Sequence, residues 1–428
     1  MVRKREKFSW AMFDFANSGY TTVVLTAVYS TFFVGVIAQD LPTGDATFLW
    51  TLTIAIANGI VLFSSPLIGA ITDFSRNKKS FLLVTVLGCT LFSALLYLTG
   101  PGDIALSMLF VIIASVMFFS GENLIAAFLP EISKPEDMGK LSGYGWALGY
   151  IGGLFVLGLC LFYINAAQAN GETAEKFVPE TMLIVAICFL IASLPTFIWL
   201  KERGSQKVKP ANISYFRIGL QQLKTTWKQA HEYRDLYRFL ITIFIYHCGI
   251  NTVVIIAAIY AQEVMHFTTE DTIMLILVVN ITAAIGAFIF GIVQDKFGSI
   301  NTLRITLLIW IGATSLAFFT ETVTLFWVVA NLIGLALGAS QSAGRALIGM
   351  FSPIERNGEF FGLWGMATKL SAIVGPLIYG LIASVTQGDH RLALLSTTLF
   401  FVIGIIMLST VDENRGRLAA HGLDNPSV

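Results

Sequence analysis

Twelve apolar runs, each long enough to cross a bilayer, constrain this chain more than any other feature. A bilayer-spanning helix needs about 20 mostly apolar residues. Such runs are predicted at 10–38, 47–71, 80–99, 104–128, 140–164 and 179–200, and again at 237–262, 271–294, 300–320, 323–350, 357–385 and 390–411. They are numbered here as spans 1 to 12. Between the two sets lies 201–236, the longest polar stretch, carrying Lys201, Arg203, Lys207, Lys209, Arg217, Lys224, Lys228 and Arg234. It reads as a linker with an amphipathic helical piece over 213–234. Only 13% of the residues are charged and 55% are hydrophobic, against roughly 25% charged in soluble domains. There is too little polar surface to cover a water-exposed exterior, so lipid is the expected solvent. The expected fold is all-α, with a six-helix bundle over 1–200, the linker over 201–236 and a second six-helix bundle over 237–428.

Loop charge sets the expected orientation, because Lys and Arg collect on the cytoplasmic side. An even number of spans puts both termini on one side. That side carries Arg3, Lys4, Arg5, Lys7, Arg76, Lys78, Lys79, Lys134, Lys140, the linker, Lys296, Arg304, Arg356, Arg415 and Arg417. The opposite loops hold only Lys176 and Arg391 among otherwise acidic or neutral residues. Both termini and the linker are therefore expected in the cytoplasm, with the chain in the cell's inner membrane. The basic start MVRKREK is followed by an apolar run without a small-residue cleavage site. That run is expected to be a first membrane helix that doubles as a targeting signal. Basic and acidic residues balance at 27 each, which leaves no footprint for nucleic acid. Cys89, Cys160, Cys188 and Cys248 lie within apolar runs without metal-ligand spacing. Neither a metal nor a cofactor is expected.

The two sets of spans resemble each other. Gly69-x-x-x-Asp73 ends span 2 and Gly291-x-x-x-Asp295 ends span 8, an offset of 222. Pro130 and Pro353 are offset by 223, and Gly143 and Gly362 by 219. Three landmarks in one order point to a six-plus-six duplication, an arrangement in which secondary transporters hold substrate between repeats near the midplane.

The segment Gly69-Ala-Ile-Thr-Asp73-Phe-Ser-Arg76-Asn-Lys78-Lys79 resembles the signature loop of the major facilitator superfamily. Glycine lets two helices approach closely, and the aspartate caps a helix or pairs with the basic residues, locking one conformation. Arg76 stands where that signature has glycine; the second copy, Asp295-Lys296-Phe297-Gly298, keeps the glycine and lacks the basic run. Trp10 to Tyr20, Phe128-Leu-Pro130-Glu131-Ile, Gly143 to Gly153, and Glu359 to Lys369 through Pro376 are together similar to one branch of that superfamily, the vacuole-effluxer-like group. Its fungal members export amino acids from the vacuole. The resemblance implies twelve transmembrane helices in two pseudo-symmetric bundles and transport of a small solute; the protein is expected to function as a monomer.

Ionisable groups inside a span carry an insertion penalty of about 2.5–3.5 kcal/mol, so each is a functional candidate. Lys369 lies roughly 18 Å into span 11, near the midplane, where it binds an anionic group, takes part in coupling or forms a structural tie. Its repeat equivalent is Tyr150. Glu122 and Arg345, offset by 223, lie on spans 4 and 10. They are expected as a charge pair at the cytoplasmic gate or a clamp for a zwitterion. Asp14 faces the cytoplasmic vestibule or acts as a plain cap; Asn17 and Tyr20 are placed to face a cavity. His247 and Asn251 share a face of span 7, and a histidine can carry a proton near neutrality. Asn58, Asn123, Asn280, Asn331 and Gln341 bond substrate or join helices. The conformational lock comprises Gly69, Asp73, Arg76, Lys78 and Asp295.

No phosphate-binding loop is present, which argues against direct ATP drive, and His231-Glu232 is not followed by the second histidine of a zinc protease. No dinucleotide fingerprint or serine nucleophile elbow survives inspection. The sequence thus points to a secondary transporter of a small polar solute, amino acids or small peptides, rather than an enzyme. An exporter of another metabolite, siderophore-like or drug-like, is the alternative.

Overall fold

In a computed structural model the chain is described over residues 3–203, 214–228, 232–387, 389–420 and 422. Among the described residues, twelve helices are long and apolar enough to cross a membrane. The first six are Lys4–Ile37, Gly44–Ser75, Lys78–Leu98, Ile104–Ile132, Pro135–Ala169 and Ala174–Trp199. The second six are Arg234–Glu263, Asp271–Phe297, Ser299–Phe319, Val323–Phe351, Ile354–Val385 and His390–Leu408. No strand occurs among the described residues. The fold is two pseudo-symmetric six-helix bundles, as the sequence implies. A helix is the form that bonds every backbone polar group within one segment in lipid. Large apolar side chains such as Phe63, Phe162, Leu381 and Val385 accordingly point outward into the membrane.

Span 1 begins six residues earlier than its apolar run suggests, at Lys4. It is not a uniform α-helix, since Tyr20–Ala27 and Phe33–Ile37 are wound as π-helix. Within the linker one helix is described, Tyr215–Lys228. The remaining expectations for 204–213 and 229–231, including Lys207, Lys209 and His231, lie outside the described residues.

Each half is tied off by an acid near the start of its first span and an arginine after its last. Arg203 bonds Glu6 in the first half. Arg415 bonds Asp235 through two nitrogens, at 2.5 and 2.7 Å, in the second. Glycines let neighbouring spans touch. Gly152 and Gly153 of span 5 abut Phe15 and Thr22 of span 1, and Gly334 and Gly338 of span 10 abut span 8 at Val279, Thr282 and Ala283.

The two halves meet along two glycine seams on the side of the molecule that carries the linker. Span 2 meets span 11: a Cβ on Gly69 would lie 1.9 Å from the Gly358 carbonyl oxygen. Span 5 meets span 8: a Cβ on Gly143 would lie 2.5 Å from the Ala287 carbonyl oxygen and 2.9 Å from the Gly291 Cα. In both seams the obstacle is backbone, which cannot move aside as a flexible side chain can. Gly143→Val is therefore expected to insert normally and to hold the halves apart on the linker side. A cysteine at Ser142, buried here, should then react faster with a thiol reagent in the Gly143→Val background. Unchanged labelling would show that the seam does not hold the halves together.

Candidate functional site

The linker-side closure rests on carboxylates placed at helix N-termini. The first turn of a helix leaves its N–H groups without intrahelical partners and carries partial positive charge. Asp73, at the end of span 2, accepts from Gly358 N–H at 2.9 Å and Glu359 N–H at 2.8 Å. Those amides belong to the first turn of span 11 in the other half. Asp295, at the end of span 8, accepts from Gly139 and Lys140 N–H of span 5 at 3.0 and 3.1 Å. Each half thus caps the other once, in matching positions.

Asp73 is fully buried and its charge is balanced by Lys78, itself fully buried, whose Nζ is 3.3 Å from Asp73 and 2.8 Å from Glu131. Glu131 also accepts from the Arg203 N–H at 3.0 Å. A buried charge without a partner carries a large desolvation penalty, and Lys78 is the cation that Asp73 and Glu131 share at the seam. Arg76 takes a left-handed backbone with φ of 52°, and Gly298, its counterpart 222 residues on, has φ of 84°. This turn is the physical reason for a glycine in the signature loop.

Deeper in, Arg345 of span 10 reaches across the interface to Asp14 of span 1, with Nη1 to Oδ2 at 2.7 Å. The guanidinium also donates to the Ser142 hydroxyl at 3.1 Å and the Ser142 carbonyl at 2.9 Å. Trp10 and Trp146 lie over it at 4.7 and 5.1 Å, a cation–π arrangement that holds the planar group flat.

At mid-depth, Lys369 sits 15 residues into span 11. Its ammonium lies 3.2 Å from the centre of the Phe119 ring and within electrostatic reach of Glu122. Both are partly exposed. Glu122 also feels Asp14 and Arg345, so the four charges form one group: two acids from the first half, two bases from the second. Trp146 and Tyr150 extend it with ring centroids 6.1 Å apart. The Tyr150 hydroxyl lies beside Gln341 without a hydrogen bond of ordinary geometry.

The whole molecule compares with known proteins in the same terms. A family model described as "Vacuole effluxer Atg22 like" matches residues 45–421. The chain belongs to that family, within the major facilitator superfamily. It is 28% identical over 415 residues to the uncharacterized MFS-type transporter YxiO of Bacillus subtilis, covering 96% of this chain and 95% of the relative. It is 26% identical over 340 residues to autophagy-related protein 22 of Yarrowia lipolytica, covering 73% of this chain and 57% of that protein. Among solved structures, the proton:xylose symporter XylE superposes with a TM-score of 0.75 at 15% identity, over 98% of both chains. FucP in the outward conformation gives 0.70 at 12% identity, over 95% of this chain and 98% of that one. These likenesses establish the fold.

Within this vacuole-effluxer-like transporter the expected site residues separate into two groups. Glu122, Arg345, Lys369, Tyr150 and Gln341 come together at the interface, with His247 close enough to feel the Lys369 charge. Of the two expectations for Glu122 and Arg345, a gate pair or a zwitterion clamp, the direct gate pair is corrected: Arg345 takes Asp14, and Glu122 lies within electrostatic reach of both Lys369 and Arg345. The reason is depth, since span 1 starts at Lys4 and so carries Asp14 about 15 Å into the helix. Tyr20 does not face a cavity; it is fully buried and its hydroxyl meets Ser115 at 2.9 Å inside the first half. Asn17 is buried beside Ser18. Asn123 donates to Ser65 and Asn251 to Ser371, both at 2.9 Å, joining helices. Asn280 and Asn331 bond carbonyls of their own helices, Ile276 and Trp327. Ser142, Trp10 and Trp146 were missed as partners of Arg345. Trp10 and Trp146 lie in the segments Trp10 to Tyr20 and Gly143 to Gly153 that carry the family resemblance, which does not state what the tryptophans cover.

Removing one partner of a buried ion pair typically destabilises by about 3–5 kcal/mol. Asp14→Asn and Arg345→Gln should each lower the melting temperature of the purified protein. The double variant should lose less than the sum of the singles, by about 0.5–3 kcal/mol of coupling. Strictly additive losses would mean that the two residues act independently.

Proposed function

We propose that this protein moves a small zwitterionic solute, an amino acid or small peptide, across the cell membrane by alternating access between its two halves. The observation that carries this reading is that Glu122 and Lys369 lie within electrostatic reach of each other from opposite halves. A zwitterion presents an ammonium and a carboxylate a few ångströms apart. Glu122 and Lys369 offer the complementary charges from opposite halves, beside the aromatic surface of Phe119. A solute inserted between them replaces the attraction of the two side chains with two charge-assisted hydrogen bonds. Trp146 and Tyr150 supply polar-tipped aromatic surface for its side chain.

The Asp14–Arg345 pair and the two aspartate caps must open for a solute to enter from the linker side, and they make the closed state discrete. Protonation of a carboxylate in this group would release its arginine or lysine partner, so proton-coupled export is the mode these charges support. The family description, which names a vacuole effluxer, supports efflux as its direction. The basic loops support cytoplasmic termini and linker, and the single duplicated chain supports a monomeric transporter in the inner membrane.

Purified protein in liposomes, screened over an amino-acid and dipeptide panel, tests the reading. Glu122→Gln and Lys369→Met should each weaken apparent affinity for an accepted solute by about tenfold or more, the equivalent of ~1.4 kcal/mol. Solutes lacking one of the two charges should be poor substrates of the wild type. A panel without any transported zwitterion, or affinities unchanged in both variants, would overturn it.

A further inference from the structure

The linker helix Tyr215–Lys228 carries a pattern that transport does not use. Between residues 204 and 231 the sequence contains five Lys and Arg residues and no Asp or Glu. Around the helix axis, at about 100° per residue, four stripes follow one another. Ile218, Gly219 and Gln222 face the protein: a Cβ on Gly219 would lie 2.8 Å from Leu67 Cδ1 and 3.0 Å from Ile71 Cγ1 of span 2. Next come Phe216 and Leu220, large apolar side chains that are 57% and 47% exposed. Beside them are Arg217 and Lys224, both exposed, and then Gln221 and Thr225, also exposed.

Depth identifies what lies against the apolar stripe. Leu67 and Ile71 precede the end of span 2 at Ser75 by about 12 and 6 Å of helix rise. The linker helix therefore lies at the level where the acyl region gives way to headgroups, the depth at which interfacial helices sit. At that level Phe216 and Leu220 enter the acyl boundary, Arg217 and Lys224 reach the headgroups and Gln221 and Thr225 meet water. We infer that the linker helix is an interfacial binding element for anionic phospholipid. Its uniformly positive segment is complementary to that headgroup. The same helix touches the gate from both sides: Tyr215 packs on Phe74 with ring centroids 6.4 Å apart. Gln222 donates to Glu359 at 3.0 Å, the residue whose own N–H is held by Asp73. Anionic lipid seated here would keep this helix docked across the span 2–span 11 seam.

The test uses full-length protein and no transport substrate. Native mass spectrometry should show phosphatidylglycerol retained over phosphatidylcholine of the same acyl chains by about fivefold or more, roughly the contribution of one cation near an anionic surface. Arg217→Gln with Lys224→Gln should bring that ratio toward parity, and phosphatidylglycerol should raise the melting temperature of the wild type more than that of the variant. In vesicles, a fluorophore at Phe216→Cys should be quenched by a lipid-borne quencher and one at Gln221→Cys by an aqueous quencher. Equal lipid ratios in wild type and variant would overturn the inference. So would aqueous quenching at position 216, including the case in which a soluble protein then shields it, which would assign the face to a protein partner.

Discussion

A carboxylate from one half bonded to the free amides of a helix in the other half is the interaction on which the closed face depends. Two glycine seams bring the backbones close enough for it, and Asp73 and Asp295 then satisfy amides that would otherwise be buried without partners. The same device works inside each half. Glu202, after span 6, accepts from Lys78 and Lys79 N–H at 2.9 and 3.3 Å. Glu413, after span 12, accepts from Ser299 and Ile300 N–H at 2.9 and 3.1 Å. Four helix N-termini on one face are thus capped by four acids, two within halves and two between them. The within-half caps can persist while the halves move, because their partners move with them. The between-half caps must break if that face opens.

The deeper Asp14–Arg345 pair adds a second layer to the same closure. It differs from the caps in having no repeat-related copy: position 14 pairs with position 345, and each bundle contributes a different residue type. An asymmetric pair at the base of a pseudo-symmetric interface gives the interior a direction, with acids on one wall and bases on the other. In the proposed function, that polarity is what a zwitterion of fixed charge separation would read.

Much of the fold was legible because lipid imposes a strong rule on every span. The twelve runs and the repeat landmarks follow from apolar length and spacing, and the signature loop around Gly69 and Asp73 from its resemblance to the major facilitator superfamily. The candidate site was legible only as a set of residue types. Glu122, Arg345 and Lys369 stood out because a charge in an apolar run is rare, yet their partners depend on helix rotation and depth, which a single sequence does not state. Span 1 illustrates this: its polar start hid the six residues that carry Asp14 inward. Asn280 and Asn331 show the converse, polar residues in a span that simply bond the preceding turn. Arg76 shows a third case, a residue in a backbone conformation that glycine adopts freely, visible in the sequence only as a departure from the signature.

The claim that the aspartate caps hold the linker face shut has a direct measurement. Spin labels at Lys134 and Lys296, exposed residues in opposite halves on that face, report its width by pulsed electron-electron distance spectroscopy. Paired substitution, Asp73→Asn with Asp295→Asn, removes the anionic acceptors while preserving side-chain size. If the caps hold the seam, the wild-type distance distribution is dominated by a short component and the paired variant shifts to longer distances at unchanged protein yield. A paired variant whose distribution superposes on that of the wild type would contradict it.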